Sequence, residues 1–232
     1  MTDTTRLAVD IGGTFTDIVL DRGGQRFTRK VLTTPTAPEQ ALIQGSRALL
    51  EEAGATFVDV DVFVHGTTLA TNAILERRGA RTALLATEGF RDILEIGTES
   101  RFDQYDLRIE LPKPLVPRDL RFTVGGRVAA SGAELRPLDQ EQLAEVAAQL
   151  RAAGVESVAI ALIHAYANPA HEQQAAAILR RQLPGVAITL SSEACPEIKE
   201  YERTSTTAAN AYVQPLMDRY LGRMQAALQE ER

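Results

Sequence analysis

Asp10-Ile11-Gly12-Gly13-Thr14-Phe15-Thr16-Asp17 is the stretch on which the fold turns. Before it, Leu7, Val9 and Ile11 alternate with Ala8 and Asp10, the period-2 pattern of a β strand; after it, Thr16 to Leu20 resumes β-type residues. Two glycines between strands permit φ > 0, so successive backbone N–H groups can converge on one point. Thr14 and Thr16 add hydroxyl donors beside them, and Asp10, ending the first strand, is an acceptor suited to a hydrated Mg²⁺. Each charge-assisted hydrogen bond to an anion contributes roughly 1.5–3 kcal/mol, so three or four place a triphosphate without a lysine. A tight glycine-rich hairpin is the plain alternative. It accounts for the glycines but requires neither the carboxylate nor the paired hydroxyls. No G-x-x-x-x-G-K-[ST] loop and no G-x-G-x-x-G after a strand occurs, which excludes the P-loop and dinucleotide-binding motifs.

Outward from that stretch the chain reads as α/β. Asp21-Arg22-Gly23-Gly24 turns into a third strand over Gln25 to Leu32. Thr36 and Glu39 stand at capping-box spacing before a helix carrying Leu42, Leu49 and Leu50, with Gly54 past its end. A strand over Asp61 to His65, a helix over Ala70 to Arg78 and a strand over Arg81 to Ala86 follow. The prolines at 112, 114 and 117 make Gly97 to Leu120 an extended arm or lid, and Arg91 to Arg101 a solvated or lid segment. Gly125-Gly126 and Ser131-Gly132 predict a hairpin, Asp139 caps a helix with Gln142 three residues on, and Asn168-Pro169 opens another. A last helix covers about Thr204 to Gln229, where Pro215 is expected to kink or divide it. The resulting division is 1–122, 123–195 and 196–232.

With 232 residues, a net charge of −6 and no Lys/Arg run, the chain has no electrostatic footprint for nucleic acid. One cysteine excludes an intrachain disulfide, and no apolar run approaches the ~18 residues of a membrane span, so a soluble cytoplasmic protein is expected. Cys195, His164 and His171 show neither a base nor metal-ligand spacing and receive no role. His65-Gly66-Thr67-Thr68 ends a strand just before a helix, where N–H groups and hydroxyls favour an anion. His65 there either meets a phosphate or substrate carbonyl, or packs as a satisfied core histidine. Asn72 is a weaker candidate of the same kind. Glu202-Arg203-Thr204 is either a capping region with a solvated ion pair or places Arg203 on a phosphate or substrate.

Three ordered segments resemble the N-terminal region of the hydantoinase A/oxoprolinase family, within the actin–hexokinase–heat-shock ATPase superfamily. They are Ala8 to Asp17, His65-Gly66-Thr67-Thr68-Leu69-Ala70-Thr71-Asn72, and Tyr201-Glu202-Arg203-Thr204-Ser205-Thr206-Thr207; Asn210 to Pro215 also matches. The resemblance implies an actin/ribonuclease-H-like ATPase lobe: a mixed sheet with three antiparallel strands first and parallel strands later, then a further α/β segment and a C-terminal helix. It implies ATP-dependent hydrolysis of a cyclic amide, hydantoin or oxoproline, through phosphorylation of the carbonyl. In that reading Asp10 holds Mg²⁺ through water and is catalytic with His65; Gly12, Gly13, Thr14, Thr16, Gly66, Thr67 and Thr68 bind ATP; Asn72 and Arg203 touch substrate. Family members are longer, and no second phosphate motif occurs here, so the chain is expected to be inactive alone. It would be completed by a C-terminal portion or a second hydantoinase-type subunit. A fragment of an ATP-dependent ketone carboxylase subunit and a non-catalytic partner-binding module are the alternatives.

Overall fold

A computed structural model describes residues 4–34, 36–98, 105–106, 108–110 and 112–231. The chain divides into two compact units, Met1–Arg78 with Leu216–Arg232, and Gly79–Pro215. The expected boundaries near 122 and 195 do not coincide with these. A strand buried on both faces, such as the one after Arg81, carries no period that assigns it to one sheet or another.

The first unit is a four-stranded sheet of order β3-β2-β1-β4. Strands β1 (Arg6–Ile11), β2 (Phe15–Arg22) and β3 (Gln25–Leu32) form an antiparallel meander, and β4 (Val62–Thr67) runs parallel to β1. Alternation sends Leu7, Val9, Ile11, Ile18 and Leu20 to one face, where they meet Leu42, Leu49 and Leu50 of helix α1 (Pro38–Glu52). Helix and sheet approach closely: a Cβ on Gly45 would stand 2.3 Å from Ile18 Cδ1. The capping box expected at Thr36 and Glu39 does not form. Ala37 holds the N-cap position without a side-chain bond, because Pro38 at the first helical position already fixes the helical φ and removes one unpaired N–H. Glu39 instead accepts a 2.9 Å bond from Arg223 Nε. A reciprocal box does occur at Thr56 and Asp59, on the short 3₁₀ turn Phe57–Asp59. The apolar face of the last helix is seated here: Tyr220 is fully buried in the same core, with Met217, Met224 and Leu228 packed against it.

The second unit is a parallel sheet of order β10-β9-β5-β6. It comprises β5 (Thr82–Thr87), β6 (Arg121–Val124), β9 (Ser157–Ala161) and β10 (Ala187–Leu190), with a small hairpin of β7 (Arg127–Val128) and β8 (Glu134–Arg136). Every residue of β5 and β9 is buried, as parallel strands covered on both faces require. Helix α3 (Ile93–Ile96) follows β5, while α4 (Gln140–Ala152) and α5 (Ala170–Gln182) supply core residues Leu143, Leu150, Ala175 and Leu179. Asp139 caps α4 as its position predicts, accepting the Gln142 N–H at 3.0 Å. The proline-rich stretch is not simply an arm: Val116 is fully buried, since prolines constrain backbone without preventing burial of a valine between them. Glu99 and Arg101 of the expected lid lie outside the described residues. After the short α6 (Ser191–Ala194), one helix, α7 (Glu200–Glu230), carries Pro215 inside it without being divided. Proline leaves carbonyls of the preceding turn short of donors, and Ala80 N–H supplies one, bonding Tyr212 O at 2.8 Å.

Candidate functional site

The glycine-rich stretch is a closed turn between β1 and β2. Gly12 N–H donates to Phe15 O at 2.9 Å, and Thr33 N–H to Thr14 O at 2.9 Å. Neither glycine takes the left-handed φ that the sequence allows. Their smallness serves clearance instead: a Cβ on Gly12 would sit 3.1 Å from Phe15 O, and one on Gly13 3.3 Å from Asn72 Nδ2. A hydroxyl chain braces the turn from beneath. Thr33 Oγ1 gives its proton to Gly12 O at 3.0 Å, so the 2.9 Å contact with Thr16 Oγ1 has Thr16 as donor.

That network revises the expected roles. Thr16 is fully buried, so its hydroxyl holds the turn rather than facing a ligand, and the Gly12 amide is already committed to Phe15. The parity that buries Ile18 and Leu20 also buries Thr16, two residues earlier, and this was the signal available in sequence. Gly13 and Thr14 are exposed, and among the described residues no protein group takes their amides.

A cleft of about 490 Å³ opens beside the turn. Gly12 and Gly13 line it together with Thr67, Thr68 and Asn72, so the structure brings the first two resembling segments into one concavity. Parallel pairing of β4 with β1 accomplishes this, setting Ile11 level with Thr67. Thr68 N–H bonds Ile11 O at 3.2 Å, and Thr67 Oγ1 caps the Leu69 N–H of α2 (Leu69–Leu75) at 3.1 Å. Asn72 Nδ2 donates to Thr68 Oγ1 at 3.3 Å. Thr33, Glu76, Arg78 and Leu216 also line it, and no pattern in the sequence singles out these four.

Asp10 stands on the other side of the sheet from the core, exposed and level with Gly66 on β4 and Asp17 on β2. Gly66 is the residue that makes room for it, since a Cβ there would be 3.2 Å from Asp10 Oδ1. Asp17 is paired to Lys30 at 2.9 Å, which leaves Asp10 as the unpaired carboxylate of this row. Among the described residues no cluster of three or more acidic, histidine or cysteine side chains forms a metal cage. One free carboxylate suits a hydrated Mg²⁺ that takes its other ligands from water and phosphate.

His65 does not join the cleft. It shares the core-facing parity of Phe63, stacks on that ring at 6.4 Å, and its Nε2 meets Tyr220 Oη at 2.6 Å. Burial pushes its pKa below the usual histidine range, against the opposing pull of the Val9 carbonyl and Asp10, and burial raises Tyr220 to about 12. His65 thus sits half-buried at the strand end, bonded through Nε2 to Tyr220, with its buried Nδ1 making no hydrogen bond. Arg203 belongs to the second unit. It is 1% exposed, donates to Glu197 O at 2.7 Å and Leu162 O at 3.3 Å, and lies over the Tyr166 ring. Its guanidinium ties backbone together rather than standing solvated in an ion pair or reaching a ligand.

The chain is similar to known proteins. The alpha subunit of caprolactamase from Pseudomonas jessenii is 39% identical over 232 residues, covering 97% of this chain and 33% of that one. The crystal structure of that ATP-dependent caprolactamase superposes with a TM-score of 0.88 over 97% of this chain and 34% of its own. Nucleotide-free acetone carboxylase, from a study of ATP-dependent acetone carboxylation, gives 0.87 at 26% identity over 99% and 35%. The 5-oxoprolinase of Saccharomyces cerevisiae is 32% identical over 262 residues, 96% of this chain and 20% of that one. The chain thus spans about a third of the length of the caprolactamase subunit it matches. The profile of the hydantoinase/oxoprolinase N-terminal region matches residues 6–183, and with both resembling segments folded into one cleft the chain belongs to that family.

Proposed function

We propose that the cleft beside the glycine turn binds the phosphates of ATP, and that this chain is the N-terminal nucleotide-binding portion of an ATP-dependent cyclic-amide hydrolase. The observation that carries this is that Gly13, whose amide no protein group among the described residues takes, lines one cavity with Thr67, Thr68 and Asn72. Backbone amides in a tight turn hold anions without needing a cationic chain overall. The likeness to ATP-dependent caprolactamase supports the nucleotide, and caprolactamase and 5-oxoprolinase support a ring amide as substrate.

In this reading the turn fixes the phosphates while the amide oxygen attacks the γ-phosphorus and ADP departs. Water then adds to the activated carbon, the C–N bond opens to release the ring nitrogen as an amine and leave an acyl phosphate, and a second water hydrolyses that to carboxylate and phosphate. Positioning and charge neutralisation are the protein's share of such a transfer. Asp10 would hold a hydrated Mg²⁺, which supplies charge neutralisation when bound. His65 and Thr16 act beneath the surface, holding β4 and the turn in place. The remaining length of the family, in the same or a second polypeptide, would complete the site.

The test is substrate-stimulated ATP hydrolysis by the family-length protein. Asp10→Ala should reduce it by at least about 100-fold while leaving circular dichroism unchanged; normal turnover would remove Asp10 from the chemistry. The structural likeness to acetone carboxylase keeps a second reading in play, a carboxylase acting on a ketone. Bicarbonate separates the two, since only the carboxylase should require it.

A further inference from the structure

Only two non-glycine residues among those described adopt positive φ, and one is Arg77, at +56°. Arg77 follows the end of α2, where Arg77 N–H bonds Ile74 O at 3.3 Å and Arg78 N–H bonds Ala73 O at 2.8 Å. This pair of bonds is the Schellman cap, whose left-handed position is normally glycine because a Cβ is disfavoured there. The cap's effect is to reverse the chain so that Arg78 faces the rim of the cleft. Arg78 is the cation among the residues that line it, and its side chain is 79% exposed. It has one ion-pair partner, Glu76, at 3.1 Å, also on the wall and 53% exposed. The other polar residues around the cavity are neutral: the two glycines of the turn, three threonines and Asn72.

We infer that Arg78 is the residue that receives a phosphate group in this cleft, leaving Glu76 to do so. An exposed carboxylate pair is weak and screened by water, whereas a guanidinium meets a phosphate through two parallel N–H bonds. The exchange therefore runs toward the phosphate. Glu76 holds the empty site at neutral charge and keeps the arm near the rim. This rests on the reading of the cleft as a phosphate site, and adds a cation where neutral donors alone would face three negative phosphoryl groups.

The experiment is titration of the 232-residue chain with inorganic triphosphate, followed by ³¹P and ¹H–¹⁵N NMR, which read weak binding well. Arg78→Ala should weaken binding about 10-fold, equal to ~1.4 kcal/mol, with Arg78→Lys recovering part of the loss. Glu76→Gln should tighten it severalfold by freeing the guanidinium, and the gain should disappear in the Arg78→Ala background, where relief of a repelling charge alone would persist. Arg26→Ala, which removes an equal charge from a distant exposed pair with Asp21, should leave binding unchanged. Binding by the wild type with Arg78→Ala and Arg26→Ala indistinguishable would overturn the role of Arg78 alone. No binding by the wild type would overturn the phosphate reading and this inference with it.

Discussion

Single positions in this protein are governed by which face of the sheet they occupy. His65 and Asp10 lie on neighbouring strands, yet one enters the core and the other faces water. The buried histidine has a proton-linked consequence. Its folded pKa lies below the unfolded value near 6.5, so the unfolded chain binds more protons as pH falls through that range. Stability from this residue is present above about pH 6.5 and is lost as pH drops toward the folded pKa. Urea unfolding at pH 7.5 and pH 5.5 should therefore show a larger loss in the wild type than in His65→Gln; equal losses would show that His65 does not carry the dependence. Strand alternation made much of this legible, predicting Leu7, Val9 and Ile11 inward and Asp10 outward. Thr16 and His65 obey the same alternation, but their polar side chains invite a ligand reading that parity alone contradicts. Arg78 had no such signature, because its place depends on an unusual φ at Arg77 that residue type argues against.

At the scale of elements, buried polar clasps set how strands and helices join. Glu172 of α5 is wholly buried, and its two oxygens accept from Leu162 N–H at 2.9 Å, Ser191 Oγ at 2.6 Å, Ser192 N–H at 2.9 Å and Ser192 Oγ at 2.7 Å. Burial raises its pKa while these four donors oppose the rise. The carboxylate thus ties the end of β9 to the turn after β10. In Glu172→Gln, either orientation of the amide points its NH₂ at a backbone N–H, Leu162 on one side or Ser192 on the other. A loss of about 1–3 kcal/mol is expected, measurable by urea denaturation; a neutral outcome would mean that the serines and water compensate. Sequence showed α5 opening at Asn168-Pro169 but gave Glu172 no distinction from a solvated glutamate, since its partners come from two segments remote along the chain. The same remoteness hid which sheet β5 joins.

For the whole molecule, the two compact units are not two consecutive stretches of chain. Residues from both ends meet in the first, where the last turns of α7 place Tyr220 against Leu7, Ile18 and Leu42, and Arg223 against Glu39. Replacing a buried aromatic with alanine costs about 3–5 kcal/mol, a large part of the ~5–15 kcal/mol that a domain has in total. Tyr220→Ala should accordingly lower the unfolding midpoint sharply, while Leu221→Ala, at a 42% exposed neighbour, should barely move it. Comparable effects would mean that the helix end is not integral to this core. The segment matched by the family model, residues 6–183, therefore lacks a wall of the first compact unit. Cut out by homology alone, it would be expected to expose the inner side of its first sheet and precipitate. Expression boundaries, domain swaps and circular permutants of these proteins are better drawn around the returning helix than around the conserved motifs.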